Sequence, residues 1–91
     1  MWIITNDNEA DQEMNRTGTH SRDYDAERFA QADTLRIRLL DDDRNIIYRA
    51  KATRERIEDS EDRAFAILDW AMADAGCTIL QYFDAGQWQT L

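Results

Sequence analysis

Proline is absent from this 91-residue chain, and cysteine and histidine occur once each, as Cys77 and His20. A single cysteine allows no internal disulfide, which fits a reducing compartment. One histidine and one cysteine also fall short of the several nitrogen or sulfur ligands a transition metal needs. A Cys-His nucleophilic pair would lack both a third group to orient it and an evident oxyanion hole. Glycine is scarce as well: Gly18, Gly76 and Gly86 stand isolated, so neither a phosphate loop nor a dinucleotide fingerprint can be built. No apolar run approaches the roughly 18–20 residues that span a bilayer. The start Met1-Trp2-Ile3-Ile4-Thr5 has no basic lead and passes at once into Asn6 and Asp7, so export is not expected.

What the chain has in abundance is acid. Nineteen Asp and Glu oppose eleven Lys and Arg, for a formal charge of −8. Such a molecule repels free nucleic acid and anionic membranes and favours basic partners. Ten of the eleven cations are arginine, Lys51 being the exception. Arginine keeps its charge when partly buried and pairs bidentately with carboxylates, so internal ion pairs are expected. The charge is uneven along the chain: residues 1–33 carry −5, residues 34–57 carry +3 and residues 58–91 carry −6.

Residues 2–5 are rich in strand formers. Residues 6–22 are polar and aperiodic and read as a mobile loop. Residues 23–32 suggest a short helix capped by Asp23 or Ser21. Residues 34–40 alternate, with Leu35, Ile37 and Leu39 on one side and Arg36 and Arg38 on the other. A charged turn at 41–45 then links them to a second strand at 46–53, giving a hairpin whose outer face gathers Arg36, Arg38, Arg49 and Lys51. Residues 60–75 form the principal helix, capped by Asp59 or Ser60 and ended by Gly76 in the left-handed region. Its apolar arc is Ala64, Phe65, Ile67, Leu68, Ala71, Met72 and Ala75. Strands at 78–83 and 88–91 flank a turn containing Gly86. The expectation is one α+β domain over residues 1–91: a small, mainly antiparallel sheet of four to five short strands, with one principal helix packed on one face.

Several residue groups invite a functional reading. Asp41, Asp43 and Asn45 match the first positions of a calcium loop, but Ile46 stands where glycine is needed and Ala52 where the bidentate glutamate belongs. Asp23/Asp25 and Asp41 with Asp42 and Asp43 are acid pairs, yet a domain this small rarely makes the cleft that carboxylate catalysis requires. No catalytic residue, metal or cofactor is therefore expected. The basic hairpin face could track phosphates, but it shows no obvious aromatic platform, and its cations are expected to pair with carboxylates elsewhere in the chain or in a dimer mate. The outward side of the principal helix carries Asp62, Asp69 and Asp74 around Trp70. An exposed tryptophan among acids suits a hot spot for a basic partner, the alternatives being coverage by the N-terminal segment or a dimer seam.

Four stretches, Trp2-Ile3-Ile4-Thr5, Leu39-Leu40-Asp41-Asp42-Asp43, Ala75-Gly76-Cys77-Thr78 and Gly86-Gln87-Trp88-Gln89-Thr90-Leu91, resemble a family of small uncharacterised bacterial and phage-associated proteins. That resemblance implies no activity. The family pattern has a loop with proline and glycine before Gly76, where this chain has the helical Asp69-Trp70-Ala71-Met72-Ala73-Asp74, a departure that implies a reworked surface. In size and acidity the chain also resembles phage-encoded anti-CRISPR and anti-restriction proteins. The likeness implies a cytoplasmic, non-catalytic inhibitor acting as a DNA mimic in a bacterial host. Its partner would be a basic protein such as a CRISPR effector or another nucleic-acid-handling complex, not free nucleic acid and not a membrane. Its contact residues would be Asp62, Asp69, Trp70 and Asp74, with Asp23, Asp25, Asp41, Asp42 and Asp43 in support. A homodimeric accessory module and direct nucleic-acid binding through Arg36, Arg38, Arg49 and Lys51 are the two alternatives.

Overall fold

The alternation in the middle of the chain organises the sheet. In the computed structural model, which describes residues 1–8, 15–59 and 61–91, β2 (Thr34–Leu40) and β3 (Ile46–Thr53) pair antiparallel. The register sets Leu35 opposite Ala52 and Ile37 opposite Ala50 on one face, and Arg36 opposite Lys51 and Arg38 opposite Arg49 on the other. β1 (Trp2–Asp7) adds to the free side of β3, β4 (Ile79–Asp84) to the free side of β2, and β5 (Gln87–Thr90) to β4. The result is a five-stranded antiparallel sheet in the order β1-β3-β2-β4-β5.

Two hairpin turns hold these registers. In the first, the Asp41 carboxylate accepts the N–H groups of Asp43 and Asn45 at 3.0 and 2.9 Å, and Arg44 takes a positive φ of 65°. Asp41 therefore closes the turn that links β2 to β3. The second turn has only Ala85 and Gly86 between the strands, both at positive φ, the mirror-image conformation that follows the twist of a hairpin.

Three helices accompany the sheet. α1 (Ala26–Gln31) is capped by Asp25, whose side chain accepts the Arg28 N–H, and not by Asp23 or Ser21 as the sequence suggested. α2 (Arg54–Glu58) follows β3 directly and buries Ile57; five residues are too few to show a period, which is why alternation and spacing miss it. α3 (Glu61–Ala75) is the principal helix, and its expected cap at Ser60 lies outside the described residues. Gly76, at φ 71°, donates back to the Met72 carbonyl and ends it.

α3 lies on the Leu35/Ile37/Leu39 face. The buried stripe is Ala64, Ile67, Leu68 and Ala71, spaced i, i+3, i+4, i+7, with Phe65 of the expected arc packed against it at its margin. It is narrower than the arc expected from sequence. Met72, turned 100° from Ala71, is the one exposed large apolar side chain among the described residues, at 48%, and Ala75 is exposed too. Alanine contributes from both sides of the interface, Ala50 and Ala52 from β3 and Ala64 and Ala71 from α3.

Residues 18–21 run along the outer edge of β1. Ile4 donates to Thr19, Gly18 to Ile4 and Ser21 to Trp2, so these residues of the expected loop cover a sheet edge, and Asn6 and Asp7 belong to β1 itself. Residues 9–14 of that loop lie outside the described residues. No described helix is long and apolar enough to cross a membrane.

Leu39 sits fully buried in β2, between β3 and β4. Leu39→Ala is expected to lower unfolding stability by about 2–5 kcal/mol in a urea titration. Asp69→Ala, on the exposed side of α3, is expected to stay within about 0.5 kcal/mol of the parent.

Candidate functional site

The acidic side of α3 is less available than its sequence suggests. Trp70 is half-buried, its ring 5.6 Å from Trp2 and 5.2 Å from Tyr48 in tilted contacts. It stands on the flank of the buried stripe, one turn from Ile67, so it seals the core edge against β1 and β3. Coverage by the N-terminal strand is the arrangement found. The Asp74 carboxylate accepts a hydrogen bond from the Tyr48 hydroxyl and pairs with Arg16 through Nε at 3.2 Å and a terminal nitrogen at 3.1 Å. Its charge is thereby largely neutralised, and its side chain is only 20% exposed. Burial, followed by this bond to Asp74, raises the Tyr48 phenol well above its usual pKa.

The supporting acids are also occupied. Asp23 reaches Arg56 at 3.5 Å, Asp25 caps α1, Asp41 closes its turn, and Asp42 accepts the Thr78 hydroxyl at 2.6 Å. Asp43, Asp62 and Asp69 remain exposed, with side chains that have no partner among the described residues.

The opposite face of the sheet is where side chains converge. Two cross-strand rows run over it. The first passes from Ile3 through Lys51 and Arg36 to Phe83 and Trp88; the second passes from Asn6 through Arg49, Arg38 and Gln81 to Thr90. The Arg36 guanidinium lies 4.2 Å from the Phe83 ring centre, and that of Arg38 lies 4.1 Å from the centre of Trp88. Phe83 and Trp88 meet edge to face at 5.3 Å. Arg38 also donates to the Gln81 side-chain oxygen at 2.6 Å, and Gln81 donates on to Thr90 at 3.1 Å. Arg36, Arg49, Lys51, Thr5 and Trp88 rim a shallow depression of about 180 Å³.

One sequence expectation for this face is corrected, and the other is not met within the described part of the chain. It does have aromatic groups, brought by the β4–β5 hairpin, whose placement with β4 beside β2 no local pattern reveals. The four cations do not find carboxylates: among the described residues none of Arg36, Arg38, Arg49 and Lys51 forms a salt bridge. Instead, like charges stand directly opposite each other in both rows, an arrangement that costs stability. The Arg38 pKa is lowered by burial first, and then by the charges of Arg49 and Arg44.

The arginines that do pair are structural. Arg54 holds Asp33 at 2.7 Å, Glu58 at 3.0 Å and Asp84 at 3.2 Å, tying the start of β2, α2 and the end of β4 together. Arg56 is largely buried beside a 350 Å³ hollow walled by Trp2, Trp70 and His20, and its Nε has no hydrogen-bond partner. His20 is exposed and stacked on Tyr24 at 4.7 Å.

No family model, curated protein or solved structure matches this chain.

Cys77 is fully buried, and its thiol is pushed up to about 11 by burial and then by the carboxylates of Asp41, Asp74 and Asp7. Thiol labelling of native protein at pH 8 is expected to proceed no faster than unfolding, and to become rapid in denaturant. Fast labelling in the native state would place the sulfur at the surface.

Proposed function

We propose that this chain is a non-catalytic nucleic-acid-binding protein that works through the open face of its sheet. One observation carries the reading: four cations share that face with no carboxylate partner among the described residues, in a protein that otherwise has nineteen acids to seven bases. Strand residues on the open side include no acid in either cross-strand row. Unpaired guanidinium groups beside aromatic rings are recognition chemistry for phosphates and bases.

The net charge of −8 does not cancel this attraction. At physiological ionic strength charges are screened over about 8 Å. The molecule measures 31 × 26 × 24 Å, so the acids on the outer side of α3 lie beyond that range from the cationic face. Their effect is to confine a polyanion to one side of the molecule.

A second reading is the stoichiometric inhibitor of anti-CRISPR type, a DNA mimic that blocks a basic channel on a partner. It is favoured by a narrower set of residues than the sequence indicated. Asp62 and Asp69 lie two turns apart on one exposed line of α3, and the exposed Met72 follows one turn on, an acidic surface with an apolar contact point.

Fluorescence anisotropy with labelled DNA and RNA at 50 mM salt tests the first reading. Wild type is expected to bind, with log K falling against log salt at a slope of about −1.4 to −2.8 for two to four phosphates on a single strand. Arg36→Glu/Lys51→Glu is expected to abolish binding, and Asp62→Arg/Asp69→Arg to preserve it. No binding by the wild type would overturn the proposal. The inhibitor reading expects the reverse: a basic protein or complex retained from host lysate by wild type and by Arg36→Glu/Lys51→Glu, but lost with Asp62→Arg/Asp69→Arg.

A further inference from the structure

Resting on the sheet-face reading, we infer that the ligand is single-stranded nucleic acid, lying across the strands with an unpaired base against Trp88 and its phosphates over Lys51, Arg49 and Arg36. The direction follows from where the acids are. At one end of the strands the β2–β3 turn carries Asp41, Asp42 and Asp43; at the other end Asp33 and Asp84 gather on Arg54. A polyanion running parallel to the strands meets carboxylates at both ends. One running across them stays over the two cationic rows and arrives at the aromatic pair on β4 and β5.

The form of the ligand follows from the rings. A duplex hides the faces of its bases and shows a protein its phosphates and groove edges. Among the described residues, the open face has no helix or ribbon projecting from it to enter a groove. What it offers instead is an indole beside cations, which an unpaired base can meet and a paired one cannot. Trp88 carries the Arg38 guanidinium at 4.1 Å and that of Arg36 at 5.8 Å from its ring centre and meets Phe83 edge to face, yet it is only partly covered and lines the depression with Arg36, Arg49 and Lys51. The depression, at 180 Å³, equals about six waters at ~30 Å³ each, room for a single ring system. Arg38 is already bound to Gln81 and stacked on Trp88, so it acts as a positioning residue for the indole and leaves the phosphates to the other three cations.

The decisive comparison is wild-type protein against three labelled probes of equal length: a 12-nucleotide oligo(dT), a 12-base-pair duplex and a 12-unit abasic strand that keeps the phosphates. Oligo(dT) is expected to bind about 5- to 150-fold more tightly than the abasic strand, the range of one stacked base, and more tightly than the duplex. Trp88→Leu is expected to remove that preference for oligo(dT), and Trp88→Phe to keep most of it. Equal binding of oligo(dT) and the abasic strand, or a duplex bound as tightly as oligo(dT), would overturn the single-strand inference while leaving the sheet-face reading standing. If no probe binds, both fall. Because the abasic strand tests base contact on unaltered protein, a Trp88 variant that fails to fold leaves the comparison intact.

Discussion

The register between β2 and β3 is the constraint on which the rest depends. A strand's side chains alternate, so a pairing that buries Leu35, Ile37 and Leu39 with Ala50 and Ala52 must put Arg36, Arg38, Arg49 and Lys51 together on the other side. A slip by one residue would bury four cations and expose the core. The hydrophobic gain that fixes the fold therefore also enforces like-charge pairs that would not form on their own. Asp41, holding the turn with its carboxylate, helps to lock that register from one end.

The helix side shows the opposite use of charged and aromatic residues. Trp70, Trp2 and Tyr48 form a tilted stack that closes one margin of the core, and the Tyr48 hydroxyl at its rim needs an acceptor. Asp74 supplies it and is itself balanced by Arg16. A group that looks on the helix surface like an interaction site is in this way consumed by packing. Burying a phenol costs less when its hydroxyl is bonded, and a carboxylate in that position is stable only with a cation beside it.

The two faces of the molecule differ in what satisfies their arginines. Arg54 and Arg16 are matched by carboxylates and hold elements together. Arg36 and Arg38 are matched by the faces of Phe83 and Trp88, which steady a guanidinium without neutralising it. Among the described residues no carboxylate cancels these charges, despite an excess of acid in the chain as a whole.

Much of the architecture was legible in the residues alone. The alternation of 34–40, the strand formers of 46–53, the apolar stripe before Gly76 and the turn at Gly86 specify two hairpins and a helix, because period and turn chemistry are local properties. That Arg36, Arg38, Arg49 and Lys51 share a face was legible for the same reason. Sequence could not tell which hairpin lies beside which, since strand order depends on non-local pairing; only the tertiary structure puts β4 next to β2, with β5 beyond it, and so Phe83 and Trp88 beside those cations. Nor could it tell a free acid from a paired one. Helical spacing puts Asp69 and Asp74 on the outward side alike, but Tyr48 and Arg16, distant in sequence, reach one and not the other. Local periodicity determined which way the side chains point, and the tertiary structure decided what they meet there.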